Sequence, residues 1–98
     1  MSNKFVDKIL KNNDKYIIFY SDWCTYSNDA IALLNKANVP YKGYKIENLG
    51  VDKKVFLDKL KEGKDMISYD PSHTTRPLIF KYGKFLGGYN ELMRDIKI

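Results

Sequence analysis

The apolar residues change period several times along the chain, and each change marks an expected element. Phe5, Val6, Ile9 and Leu10 recur at helical spacing, which predicts an opening helix ending in the Asn12-Asn13-Asp14 turn cluster. Lys15 to Tyr20 then reads as a strand. Its run Tyr16-Ile17-Ile18-Phe19-Tyr20 is unbroken and rich in β-branched and aromatic residues, the pattern of a strand covered on both faces. A second helix is expected from about Thr25 to Ala37, stopped by Asn38-Val39-Pro40. Tyr41 to Ile46 is a weaker strand, interrupted by Gly43.

Asp52 is the expected N-cap of a third helix carrying Val55, Phe56 and Leu60, and Gly63 stops it. Ser68 to Thr75 is polar and turn-rich, and Leu78-Ile79-Phe80 begins another strand. Tyr82-Gly83-Lys84 turns the chain into Phe85-Leu86, so the last two strands form an antiparallel hairpin that Gly87-Gly88 ends. Asn90 is the expected cap of a final helix through Leu92, Met93 and Ile96. Strands interleaved with helices, then a hairpin and a terminal helix, give an α/β fold: a small mixed sheet with helices on both faces. The 98 residues suit one domain, 1–98, with no linker, repeat or low-complexity segment.

Composition narrows the function classes. A hydrophobic content of 44% with 14% aromatic residues supports ordinary globular folding. No segment approaches the length of a membrane span, and Met1 to Lys8 mixes acid and base without an apolar leader run. A single free cysteine fits a reducing compartment, and the cytoplasm is expected. One cysteine, Cys24, and one histidine, His73, cannot complete a four-ligand structural zinc site within one chain, so no metal site is expected. The net charge of +5 favours acidic partners of any kind. Lys4, Lys8 and Lys11, and Lys53 or Lys54 with Lys61 and Lys64, read as solvated helix faces rather than one groove. No nucleic-acid signature accompanies them, and neither nucleic acid nor membrane is an expected partner.

Cys24 carries the chemistry. It lies where the apolar strand gives way to a helix, and the unpaired N–H groups and positive dipole end there favour thiolate over thiol. That junction is the carboxyl edge of the sheet, where open α/β folds bind ligands. Ser27 stands in the fourth place of a Cys-x-x-Cys pattern, so a hydroxyl replaces a resolving thiol. It either marks a one-thiol site or fills the helix surface.

Three segments resemble one family. Phe19-Tyr20-Ser21-Asp22-Trp23-Cys24-Thr25-Tyr26-Ser27 is similar to the active-site segment of glutaredoxins, whose common form is Cys-Pro-Tyr-Cys with Cys-x-Tyr-Ser variants. Thr75-Arg76-Pro77-Leu78-Ile79-Phe80 resembles the family's Thr-Val-Pro-x-Ile-Phe, and Gly83-Lys84-Phe85-Leu86-Gly87-Gly88-Tyr89-Asn90-Glu91 resembles its Gly-x-x-Ile-Gly-Gly-Tyr-Thr-Asp ending. The resemblance implies a thioredoxin-like fold with a four-stranded mixed sheet, and a groove for glutathione as co-substrate.

It also implies residue roles. Cys24 is the nucleophile and Pro77 the family's cis-proline, which orients the backbone of Arg76 toward the glutathione cysteinyl group. Gly87-Gly88 would let the ligand approach closely. Gly88, Tyr89, Asn90 and Glu91 match the segment that receives the γ-glutamyl end, and Tyr26 borders the bound thiol. Trp23, Thr25, Thr75 and His73 are further candidates, His73 for the glycyl carboxylate. Where the family carries a lysine three residues before the cysteine, this chain has Ser21, followed by Asp22, whose charge opposes the thiolate. The Arg76 guanidinium is expected to compensate.

The implied activity is reduction of glutathione mixed disulfides, on proteins or small molecules, by a one-cysteine cycle and as a monomer. Two other classes stay open. In one, two chains share a [2Fe-2S] cluster through Cys24 and bound glutathione, although specialised members read Cys-Gly-Phe-Ser and this chain does not. In the other, the domain is a redox-inactive binding module.

Overall fold

A computed structural model of the chain describes residues 3–96; Met1 and Ser2, the start of the polar amino-terminal stretch, lie outside them. The described elements are α1 (Lys4–Lys11), β1 (Tyr16–Tyr20), α2 (Thr25–Ala37), β2 (Tyr41–Lys45), α3 (Lys53–Glu62), α4 (Lys64–Ile67), β3 (Leu78–Lys81), β4 (Lys84–Gly87) and α5 (Tyr89–Asp95). The sheet order is β2-β1-β3-β4. β1 pairs parallel with β2 and antiparallel with β3, and β3 and β4 form the antiparallel hairpin. This is the thioredoxin-like mixed sheet with helices on both faces.

Alternation along β1 and β3 builds two cores at once. Ile17, Phe19, Leu78 and Phe80 point to one face, where Phe5, Val6 and Ile9 of α1 and Phe56 and Leu60 of α3 meet them. Tyr16, Ile18 and Ile79 point to the other, against Ala30 and Leu34 of α2 and Leu92 of α5. The first core is the aromatic one: the Phe19 ring lies 4.7 Å from that of Phe56 and 5.9 Å, edge-on, from that of Phe80. Truncating a fully buried phenylalanine such as Phe56 costs about 3–5 kcal/mol in such a setting.

A polar network ties α5 to the sheet. The Tyr16 hydroxyl donates to Asp95 at 2.6 Å, and Lys81 Nζ lies 3.0 Å from the same carboxylate. Burial and then the Asp95 contact push the Tyr16 hydroxyl's pKa well above its ordinary value. Burial works to raise the Asp95 carboxyl, but the bonds from Tyr16 and Lys81 prevail and hold it low.

The structure differs from the expected elements in four places. Gly43 does not interrupt β2: it pairs with Ile18, and its bare Cα lets the Tyr20 ring lie 3.1 Å from where a Cβ would stand. Ile46 leaves the strand to start a short 3-10 turn, Ile46–Asn48, because its side chain is buried in the aromatic core. Gly63 ends α3, yet the chain coils again as α4, which buries Ile67. Asn90 does not cap α5: Gly88 holds the N-cap position and Asn90 is the second residue of the helix.

Candidate functional site

Cys24 is the N-cap residue of α2, with extended backbone angles and no side-chain bond to the helix start. It is half-buried and free. The preceding loop is pinned from below. Ser27, one turn into α2, is fully buried, and its Oγ accepts from the Ser21 N–H at 3.3 Å. Of the two readings of Ser27, surface filler is therefore the wrong one.

Across from Cys24 stands the Arg76-Pro77 peptide bond, which is cis, and Cys24 Sγ lies 3.9 Å from the Arg76 carbonyl oxygen. From there a groove of about 270 Å³ opens, lined by Tyr26, His73, Thr75, Arg76, Pro77, Gly88, Tyr89, Asn90 and Glu91. Residues from three distant stretches of sequence thus converge on one hollow. All seven residues assigned from the resemblance to glutathione are in its wall, with His73 and Thr75. Trp23 and Thr25 are not: both are exposed beside Cys24. The Tyr26 and Tyr89 rings, 6.3 Å apart, frame the side of the groove nearest α2.

No protein-family model matches the chain. A curated relative, described as a probable glutaredoxin of Acanthamoeba polyphaga mimivirus, is 34% identical over 83 residues, which is 85% of this chain and 78% of the relative. The chain belongs to the glutaredoxin family. Solved glutaredoxins share its fold. Oxidised glutaredoxin 2 of Chlamydomonas reinhardtii is 25% identical with a TM-score of 0.65, the match covering 98% of this chain and 86% of that one. The buckwheat glutaredoxin-glutathione complex is 17% identical with a TM-score of 0.67, covering 97% and 84%. The holo form of glutaredoxin C1 from Populus tremula x tremuloides is 20% identical with a TM-score of 0.68, covering 92% and 83%.

Several side chains of this glutaredoxin are arranged otherwise than expected. His73 faces the groove, but its Nε2 lies 3.0 Å from the Thr75 carbonyl and 3.3 Å from that of Pro77. It braces the loop on both sides of Arg76 rather than reaching outward. Gly87 and Gly88 make room for protein, not only for ligand. A Cβ on Gly87 would stand 2.5 Å from Glu91 Cγ, and one on Gly88 would stand 3.1 Å from His73 Cε1. Glu91 in turn accepts from the Gly88 N–H at 2.7 Å, so its carboxylate is already the bracket of α5.

The charges around Cys24 are rearranged as well. Asp22 is ion-paired to Lys45 at 2.5 Å, which offsets the carboxylate expected to oppose the thiolate. The Arg76 guanidinium lies over the Trp23 ring at 4.5 Å and faces Glu47 at 3.8 Å. Its Nε is buried without a partner. Glu47 accepts from the Ser21 hydroxyl at 2.6 Å; that bond, with help from Arg76, lowers its pKa against the pull of partial burial.

Sequence reading missed Glu47 and Lys53. Ser21, in the place of the family lysine, serves as a hydrogen-bond donor to Glu47. A cation approaches instead from the start of α3, where Lys53 feels both Arg76 and Cys24. Burial, and then the like charge of Arg76, lower the Lys53 pKa, while Cys24 pulls it back up. Nothing in the local sequence links residue 53 to residue 24. The link is made by packing α3 against the end of β1.

Proposed function

We propose that the chain is a glutathione-dependent thiol-disulfide oxidoreductase that reduces glutathione mixed disulfides by a one-cysteine cycle through Cys24. The observation that carries this reading is the groove beside Cys24, walled by Tyr26, Arg76, Pro77, Gly88, Tyr89, Asn90 and Glu91. Its volume is about 270 Å³, and its wall residue Arg76 faces the thiol, with its carbonyl oxygen 3.9 Å from Cys24 Sγ. In this reading Arg76 presents backbone groups to the glutathione cysteinyl unit, and Asn90 and the start of α5 receive its γ-glutamyl end. Arg76 and Lys53 supply positive charge near the thiol and the glycyl carboxylate.

The cycle has two exchanges. The Cys24 thiolate attacks the glutathione sulfur of a mixed disulfide; the new Cys24–glutathione S–S bond forms as the old one breaks, and the electron pair leaves on the substrate sulfur, which takes a proton. The thiolate of a second glutathione then attacks the adduct, releasing oxidised glutathione and returning Cys24 as thiolate. Ser27 has no thiol with which to compete, so glutathione is the resolving partner. Substrates are glutathionylated proteins or small mixed disulfides, the enzyme works as a monomer, and a cytoplasm rich in reduced glutathione suits it.

A glutathione-coupled reductase assay on the mixed disulfide of glutathione and β-mercaptoethanol tests this. The native protein turns over and Cys24→Ser falls to background. Rapid reduction of an unglutathionylated protein disulfide without glutathione would refute the scheme.

A further inference from the structure

The structure has a second hollow that the glutathione cycle leaves unused. It is a groove of about 420 Å³ between α3 and the 69–74 loop, lined by Lys53, Lys54, Leu57, Asp58, Lys61, Tyr69, Pro71 and Thr74. The lysines were expected to be a solvated helix face; Lys54 and Lys61 are exposed, and with the 69–74 loop opposite they form one side of a trough. Three cations face one carboxylate there. Among the described residues, none of the three lysines has an acidic partner within 4.0 Å. The trough floor is apolar through Leu57 and the Tyr69 ring.

The two grooves share a ridge. Thr74 lines the basic trough, and the next residues, Thr75 and Arg76, line the groove beside Cys24. Lys53 sits at the junction, close enough to Arg76 and Cys24 for their charges to reach it. Because the hollows adjoin at Thr74 and Thr75, a polypeptide joined through its cysteine to glutathione at Cys24 would have the trough beside it, and an extended chain advances about 3.3 Å per residue.

We propose that the trough between α3 and the 69–74 loop docks an acidic segment of the glutathionylated protein substrate, next to its modified cysteine. The occupant is set by charge complementarity and by continuity with the thiol site. Carboxylates on the segment would pair with Lys54 and Lys61 at the rim and relieve the crowding of Lys53 against Arg76, while an aliphatic or aromatic side chain would cover Leu57. Charges at such a rim act mainly on encounter and on the choice of partner. The inference rests on the glutathione reading for its kinetic consequence, but not for binding.

The test is the double variant Lys54→Glu/Lys61→Glu, which leaves the groove beside Cys24 intact. The first measurement is fluorescence anisotropy of a labelled peptide with glutamates around an alanine in place of cysteine, and of its glutamine counterpart. The glutamate peptide binds the native protein and is weakened about tenfold or more by the variant at low ionic strength, an effect that fades as salt shortens the Debye length to about 8 Å. The second measurement is kcat/KM on glutathionylated forms of both peptides and on the small mixed disulfide. The variant loses about tenfold on the acidic peptide alone. Equal binding of the two peptides, equal loss on all three substrates, or tighter binding of a single-stranded RNA oligomer than of the acidic peptide would overturn the proposal. Absence of turnover on the small disulfide would instead overturn the glutathione reading while leaving the binding result to stand.

Discussion

Replacing Gly87 by alanine separates two costs that a single glycine conceals. Gly87 has φ of +136°, outside the left-handed well, where an L residue is strained by about 1–3 kcal/mol. Its missing Cβ also leaves the space that Glu91 occupies: an added methyl would stand 2.5 Å from Cγ, 2.6 Å from Oε1 and 2.8 Å from Cβ of Glu91. The last contact cannot be relieved by rotating the end of the side chain. Glu91 must therefore withdraw, and the Gly88 N–H loses its acceptor at 2.7 Å, a helix-cap contact worth about 1 kcal/mol. Repacking the crowded turn adds about 1 kcal/mol more. Gly50→Ala is the open-space control, because Gly50 has φ of +82°, near the left-handed well, and nothing within 4 Å of a new Cβ, so only backbone strain of about 1–2 kcal/mol applies. Thermal unfolding followed by circular dichroism reads both. A domain of this size loses about 4–8 °C per kcal/mol, so Gly50→Ala falls by about 4–16 °C and Gly87→Ala by at least about 8 °C more. Equal losses in the two variants would refute the claim that the space taken by Glu91 adds to the cost of the backbone angle at this glycine.

The Tyr16-Asp95-Lys81 network sets an acid limit. The Asp95 pKa is held below its ordinary 3.8, so its contribution is present at neutral pH and is lost as pH falls below that value; Tyr16→Phe destabilises by about 1.5–3 kcal/mol at pH 7, a difference that narrows in acid, as denaturant titrations at both pH values would register. Ser27→Cys restores a second thiol behind Cys24 and weakens the bond from Ser21, so the variant loses about 1 kcal/mol yet gains glutathione-independent reduction of insulin disulfides; no gain would mean that burial keeps residue 27 from reaching Cys24. Anaerobic treatment with iron, sulfide and glutathione leaves a colourless monomer, since Cys24-Thr25-Tyr26-Ser27 stands where cluster-binding members read Cys-Gly-Phe-Ser; a brown dimer by absorption and sizing would move the assignment to cluster binding.

The fold was legible wherever period and punctuation agreed. The β1 run and the Tyr82-Gly83 turn, whose residues have φ of 52° and 85°, announced a central strand and a tight hairpin because their local chemistry permits little else. Helix caps were less legible. Asp52 holds its expected position without a side-chain bond to the helix, and α5 is bracketed by Glu91 from within rather than by Asn90. At the site, motif spacing led to the groove residues, since each motif is contiguous in sequence. The electrostatics were hidden, because they join residues that only tertiary packing brings together: Asp22 with Lys45, Ser21 with Glu47, Arg76 with Trp23, and Lys53 with the thiol's surroundings.

Trp23 is the chain's one tryptophan, it is 68% exposed, and it stands next to Cys24 beneath the Arg76 guanidinium. Excited at the red edge of its absorption, apart from the eight tyrosines, it makes the protein its own optical gauge. Any group joined to the neighbouring sulfur, or any shift of the stacked cation, changes the indole's surroundings and therefore its emission. Occupancy of Cys24 is then readable in real time on the unlabelled chain, with the intermediate's lifetime written in the recovery of a single fluorophore.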